Sequence, residues 1–213
     1  MELRGAYDRA VASWAVAARG WDAGTLATPV PATPGWRVHD VLAHVTGATT
    51  DLVADEMEGA PGPAWSARHL ERWVPRPVDD VVDALLAAAG AVPASVVASS
   101  APTPVWDLVV HRDDVREALG EPPVAAEWEP VLGRAWTFVA SRPGCPTVRT
   151  RGGVRDASGP ELVLDGDDHE LFRVLFSRRS RRQVAALTGG GAAAVEAVQL
   201  FGTRDDDQPA SGA

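Results

Sequence analysis

Asp107, His111 and Asp114 stand at i, i+4 and i+7 in the run Trp106-Asp-Leu-Val-Val-His-Arg-Asp-Asp114. A helix brings all three to one face, so a carboxylate and an imidazole point the same way. Two such side chains one turn apart can share a divalent ion. A third ligand from another helix then completes an open site with room for water or substrate. His44, in Val41-Leu-Ala-His-Val45, is the third candidate, set mid-helix among apolar residues where an unpaired imidazole is expensive. A plainer reading stands beside this one. A histidine in an apolar helix is commonly a hydrogen-bonded core residue, and Asp-x-x-x-His is commonly a solvated ion pair.

The remaining candidates carry weaker signals. His39 precedes His44 by five residues and faces another direction, while His69 falls in a proline-rich stretch and is expected at the surface. His169 follows an acidic helix start with no evident partner. Asp40 shares a face with His44, but its place in a first helical turn reads as a partner of the helix dipole. Cys145 is the single cysteine, which excludes a disulfide within the chain and reads as structural, so thiol chemistry would need a borrowed thiol. Arg173, Arg178, Arg179, Arg181 and Arg182 form a run without acid. Guanidinium forks suit planar carboxylates, and a solvated helix face is the equal alternative.

The elements that must position these residues are read from apolar spacing and from Gly and Pro punctuation. The pattern predicts a first helix over 2–19, a long connection over 20–35 and a second helix over 36–58. A proline-rich loop follows, with a short helical piece near 66–73 that has the length of a lid. A third helix over 79–99 and a fourth over 105–119 come next, the fourth stopped by Gly120, Pro122 and Pro123. Beyond lie a helix over 125–141, two β-like runs at 147–151 and 161–165 read as a hairpin, and helices over 167–177 and 180–187. The expected fold is mainly α: a four-helix bundle over 1–122, a small α+β domain over 123–205, and a disordered tail over 206–213.

Composition narrows the function. With 213 residues, 46% apolar and 23% charged, the chain is too apolar for disorder and too interrupted by charge to span a membrane. The N-terminus carries Glu2 and Asp8 where a leader would be basic, which leads to a cytoplasmic expectation. A net charge of −9 argues against a nucleic-acid surface.

Three motifs together carry a resemblance. Thr33-Pro-Gly-Trp36-Arg-Val-His-Asp40-Val-Leu-Ala-His44-Val45 is similar to the second-helix signature of the mycothiol-dependent maleylpyruvate isomerase family, a DinB-like metal-binding bundle. Asp107-x-x-x-His111-x-x-Asp114 with Ala118-Leu119-Gly120 resembles its last bundle helix. Asp168-His-Glu-Leu-Phe-Arg173, Phe176-Ser-Arg178-Arg179-Ser180-Arg181-Arg182-Gln183 and Leu200-Phe-Gly202 resemble its closing segments. Two departures stand out: Asp107 takes the place of the family's usual Glu, one methylene longer, and Ser177 that of its usual Gly.

The resemblance implies a DinB-like four-helix bundle with His44, Asp107 and His111 as metal ligands and Asp114 supporting them from behind. It implies a divalent ion, zinc by default, with nickel and iron sharing these ligands. It further implies mycothiol or another small thiol as cofactor. The thiol would add as thiolate to an activated double bond, permit rotation and leave, which describes an isomerase or a thiol transferase. The substrate would be a small electrophile bearing a carboxylate, oriented by Arg178 or Arg179. The expected partners are these small molecules, with no nucleic acid and no membrane, in a monomer or homodimer. The alternative is a non-catalytic DinB-like metal-binding stress or regulatory protein.

Overall fold

Apolar residues at three- and four-residue steps bury one stripe of the first helix, α1 (Leu3–Gly20), through Leu3, Ala6, Tyr7, Ala10, Val11, Trp14, Ala15 and Ala18. The structure is a computed structural model that describes residues 3–196 and 198–209. It is mainly helical with one small sheet, and it divides into two compact units, Met1–Pro122 and Pro123–Ala213. Among the described residues no helix is long and apolar enough to cross a membrane.

In the first unit, the connection after α1 contains a helical turn the spacing did not predict, α2 (Ala23–Leu26), capped by Asp22 accepting from the Thr25 amide at 2.7 Å. The chain then doubles back, with the Val30 amide donating to the Trp36 carbonyl at 2.9 Å and the Val38 amide to the Thr28 carbonyl at 2.9 Å. That fold-back brings Trp36 to the start of α3 (Val38–Ala54). Asp40 accepts from the Arg37 amide at 2.8 Å and so serves the helix N-terminus.

The proline-rich stretch holds a full helix, α4 (Pro63–Trp73), where only a short helical piece near 66–73 was expected. Pro63 occupies the first helical turn, where its missing N–H costs nothing, so it starts the helix instead of breaking it. Conversely, the predicted third helix over 79–99 is two pieces, α5 (Val78–Ala91) and α6 (Ala94–Val97), because Pro93 cannot continue the ladder. Gly120, in the left-handed region at φ 68°, terminates α7 (Thr103–Leu119).

Helix α3 packs against α4, α5 and α7, while α1 packs against α5 and α7. Trp14, wholly buried, donates its indole N–H to the Leu108 carbonyl at 3.0 Å and so ties α1 to α7. The core of this unit includes Val41, Leu42, Val81, Leu85, Val105 and Leu108.

The second unit opens with α8 (Ala125–Ala140), followed by β1 (Pro146–Thr150), β2 (Gly153–Arg155) and β3 (Gly159–Val163) in the order β2-β1-β3. The predicted hairpin of residues 147–151 with 161–165 is not formed. β1 pairs antiparallel with β2 and parallel with β3. The tight turn at Arg151-Gly152 closes β1 onto β2, and residues 156–158 then carry the chain past the start of β1. Thr147 secures that crossing, its hydroxyl donating to the Ala157 carbonyl and accepting from the Ala157 amide, both at 3.0 Å.

Helix α9 (Asp168–Leu175) buries Leu171, Phe172, Val174 and Leu175, and α10 (Arg181–Leu187) begins with a reciprocal Ser180–Gln183 cap. A last turn, α11 (Ala192–Glu196), follows. The expected disordered tail over 206–213 is corrected in its first part. Ser180 donates to Asp207, the Gln208 amide donates to Gln183 Oε1 at 3.0 Å, and the Gln183 amide group donates to the Gln208 carbonyl at 2.6 Å. Gln208 is buried by these bonds. Residues 210–213 of that expectation lie outside the described residues.

Candidate metal centre

Helix α7 places Asp107, His111 and Asp114 along one face, and the packing of α3 against α7 sets His44 opposite them. His44, Asp107 and His111 each offer one ligand atom, all within 4.8 Å of one another. The Nε2 atoms of His44 and His111 lie 3.7 Å and 3.4 Å from the same oxygen, Asp107 Oδ1. Donor atoms held about 2.0–2.1 Å from a tetrahedral ion stand roughly 3.4 Å apart, so this separation accommodates a divalent cation such as zinc. The donor set, two imidazoles and a carboxylate, suits the same class of ion.

Each imidazole is held from behind. His111 Nδ1 lies 3.0 Å from Asp114 Oδ2, a carboxylate oxygen buried on the same helix. His44 Nδ1 lies 3.2 Å from Nδ1 of His69, whose Nε2 in turn lies 3.0 Å from Asp51 Oδ2. Arg72 completes the line by donating to Asp51 Oδ1 at 2.7 Å.

Two tryptophans wall the cluster, Trp36 at 4.9 Å and Trp65 at 5.7 Å from the His44 ring, and within it the His111 ring stands edge-on to His44 at 5.2 Å. The His44 and His111 side chains are 7% and 10% exposed, whereas Asp107 is 31% exposed. The cluster therefore opens to solvent on the Asp107 side.

Burial alone would push the Asp107 carboxyl upward. The His44 and His111 imidazoles outweigh it and hold Asp107 well below the usual carboxylate range. Burial likewise pulls His111 downward, but Asp107 and then Asp114 reverse the sign and raise it to about 9. His69 moves the other way, its desolvation lowering it more than the Asp51 carboxylate raises it. Burial acts to raise Asp51, yet His69 and Arg72 together keep it below the ordinary value.

His69 was expected at the surface and is instead fully buried. The proline-rich composition suggests a loop there, but Pro63 starts a helix that carries His69 inward. With Pro63 taken as a helix start, Trp65, His69 and Arg72 fall at i, i+4 and i+7 of one helix, and His44, Gly47 and Asp51 fall at i, i+3 and i+7 of another. Those spacings are the signal that could have found the line of side chains behind His44. His39 is half-buried with its desolvated ring lowered in pKa, and it does not join the cluster.

The other candidates lie in the second unit. Arg179, 2% exposed, clasps Glu170 with both arms of its guanidinium, Nε to Oε1 at 2.5 Å and the second arm to Oε2 at 3.1 Å. Arg178 donates to the Phe176 carbonyl at 2.8 Å. His169 is buried, its ring 5.2 Å from that of Trp128. The Cys145 thiol is buried and its pKa is raised by desolvation, the opposite of an activated nucleophile. No family model, curated protein or solved structure matches this chain.

Proposed function

We propose that the first unit is a DinB-like bundle holding one divalent metal ion through His44, Asp107 and His111. The further reading is an enzyme that uses a small thiol to isomerise or transfer onto a small electrophile bearing a carboxylate. The observation that carries the metal reading is the convergence of two imidazole Nε2 atoms on one Asp107 oxygen, with the Nδ1 atom of each ring already engaged behind. Structural histidines are commonly satisfied through one nitrogen in any direction. Two rings aimed at a common point and tethered at their far sides are the arrangement of metal ligands.

A divalent ion held by His44, Asp107 and His111 would supply Lewis acidity, making a water or thiol that enters the site more acidic. The chain's own residues supply the rest. Asp114 keeps a proton on His111 Nδ1 and leaves Nε2 free to ligate. Trp36 and Trp65 shield the imidazoles from water, and the half-open Asp107 side admits a ligand. The resemblance of residues 33–45 and 107–120 to the maleylpyruvate isomerase family supports a thiol as that ligand. The burial of Cys145 is consistent with a thiol that comes from outside the chain.

One observation favours a second reading, a non-catalytic metal-binding protein: the guanidinium of Arg179, the candidate for a substrate carboxylate, is spent on Glu170. The deciding experiment is metal analysis followed by a thiol-dependence screen with unsaturated diacids. The metal reading expects one ion per chain, lost in both His44→Ala and His111→Ala. Undiminished metal in folded samples of both variants overturns it. Metal without thiol-linked turnover selects the non-catalytic reading.

A further inference from the structure

Behind His44 lies a line of polar groups that the ligand set does not use: buried His69 on α4, buried Asp51 two turns along the same face of α3 from His44, and the half-buried Arg72 on α4. We propose that His69, seated against Gly47 and anchored by Asp51, is a positioning residue that fixes His44 as the Nδ1–H tautomer and so aims its Nε2 lone pair at the metal centre. The proposal rests on the metal reading above and names the part of the bundle that makes His44 a competent ligand.

Donor and acceptor accounting leads to the tautomer. Asp51 is ionised and accepts only, with Oδ1 taking a hydrogen from Arg72 at 2.7 Å, so the His69 Nε2 that lies 3.0 Å from Oδ2 must carry its hydrogen. A neutral His69 then presents a lone pair at Nδ1. The 3.2 Å contact between the two Nδ1 atoms needs one hydrogen, and His44 must provide it. The His44 proton is thereby held on the far side of the ring, leaving Nε2 bare.

The reverse arrangement requires a doubly protonated His69 and a hydrogen on His44 Nε2. That places a second cation in a fully buried position beside Asp51, whose charge Arg72 already balances.

The seat of His69 is built into both helices. A Cβ at position 47 would overlap the Cβ, Cγ and Cδ2 atoms of His69, so the absence of a side chain there is what lets the imidazole lie against α3. Trp65 closes the other side, its ring centroid 4.3 Å from that of His69. Gly47 behind, Trp65 beside and Asp51 at its tip thus bound the ring on three sides. Outer partners of this kind commonly change metal affinity by about 10- to 100-fold when removed.

The test uses cobalt(II), whose visible absorption reports coordination geometry, in the full-length protein. The parent is expected to bind one cobalt(II) per chain. Asp51→Asn, which keeps the shape, and His69→Phe, which keeps a flat ring but no ring nitrogen, are expected to weaken binding by about 10-fold or more and to alter the visible band. His69→Gln should stay within a few-fold of the parent, because its amide can accept from His44 and donate to Asp51 together. In the metal-free parent, long-range ¹⁵N–¹H spectra should show His44 protonated at Nδ1. A His44 Nδ1 that carries no proton overturns the proposal. So does a His69→Phe protein that matches the parent in affinity and spectrum. If Phe and Gln weaken binding equally, the ring serves only as filler and the positioning role falls. A parent that takes up no cobalt(II) overturns the metal centre itself, an outcome distinct from unaffected variants of a binding parent.

Discussion

Asp107 is the residue on which both imidazoles converge, and its ionisation ties metal binding to pH. In the metal-free protein, His111 is raised from 6.5 to about 9, chiefly by Asp107 against the pull of burial. Its contribution to stability is therefore complete below the unfolded value near 6.5 and is lost as pH climbs toward about 9. Asp107 is depressed below 3.8, so its contribution is present above that value and disappears as pH falls through the lowered one. Thermal melts of chelator-treated protein should show Tm falling between pH 6.5 and 9. A metal ion held by His111, as proposed, would displace the same proton, so its affinity should rise about tenfold per pH unit over that window. A pH-independent affinity there would contradict ligation by His111. Asp107→Glu should retain metal, since it keeps a carboxylate on a flexible side chain beside the two imidazoles. Loss of metal in that variant would show that Asp107 acts through another group. Arg179→Ala, by contrast, strips the partner from a nearly buried Glu170 and should cost about 3 kcal/mol of stability in denaturant titration. Its metal content should be unchanged, because no ligand is touched.

Helices α3 and α4 meet across Gly47, and the cost of that meeting can be weighed. In an exposed helix interior, Gly→Ala gains about 1 kcal/mol from propensity. Here the added methyl would overlap the His69 ring, and forcing an extra group into a packed interior costs about 1–3 kcal/mol. Gly47→Ala should therefore be net destabilising or at best neutral in chemical denaturation, and it should weaken metal binding by moving His69 off His44. A stabilised variant with parental metal affinity would show that α4 shifts freely and holds nothing in place. α7 differs, because three of its polar side chains share one face by spacing alone. Asp114→Ala should leave α7 helical by circular dichroism while weakening metal binding about 10-fold or more.

At the scale of the whole molecule, every member of the His44, Asp107 and His111 cluster belongs to the unit Met1–Pro122. A fragment ending at Pro122 should fold and bind metal with the stoichiometry of the full chain, as measured by elemental analysis. Limited proteolysis should cut near Gly120–Pro123 before it cuts α3, and primary cleavage inside 38–55 would contradict this division of the chain. Much of this was legible in the sequence by itself. Apolar periodicity marked α1, α3, α5 and α7, Gly120 marked the end of α7, and the i, i+4, i+7 spacing put Asp107, His111 and Asp114 on one face, because each of these depends on local geometry within a single helix. The tertiary structure decided what local geometry cannot: that β1 pairs parallel with β3, that Asp207 and Gln208 dock on α10, and that His69 lies buried between Asp51 and His44. A polar side chain is buried or exposed according to which faces meet across long sequence separations. Helical spacing puts His69 on one face of α4 and Gly47 on one face of α3, but that these two faces meet, through the missing side chain of Gly47 twenty-two residues away, is decided only by the packing of the helices.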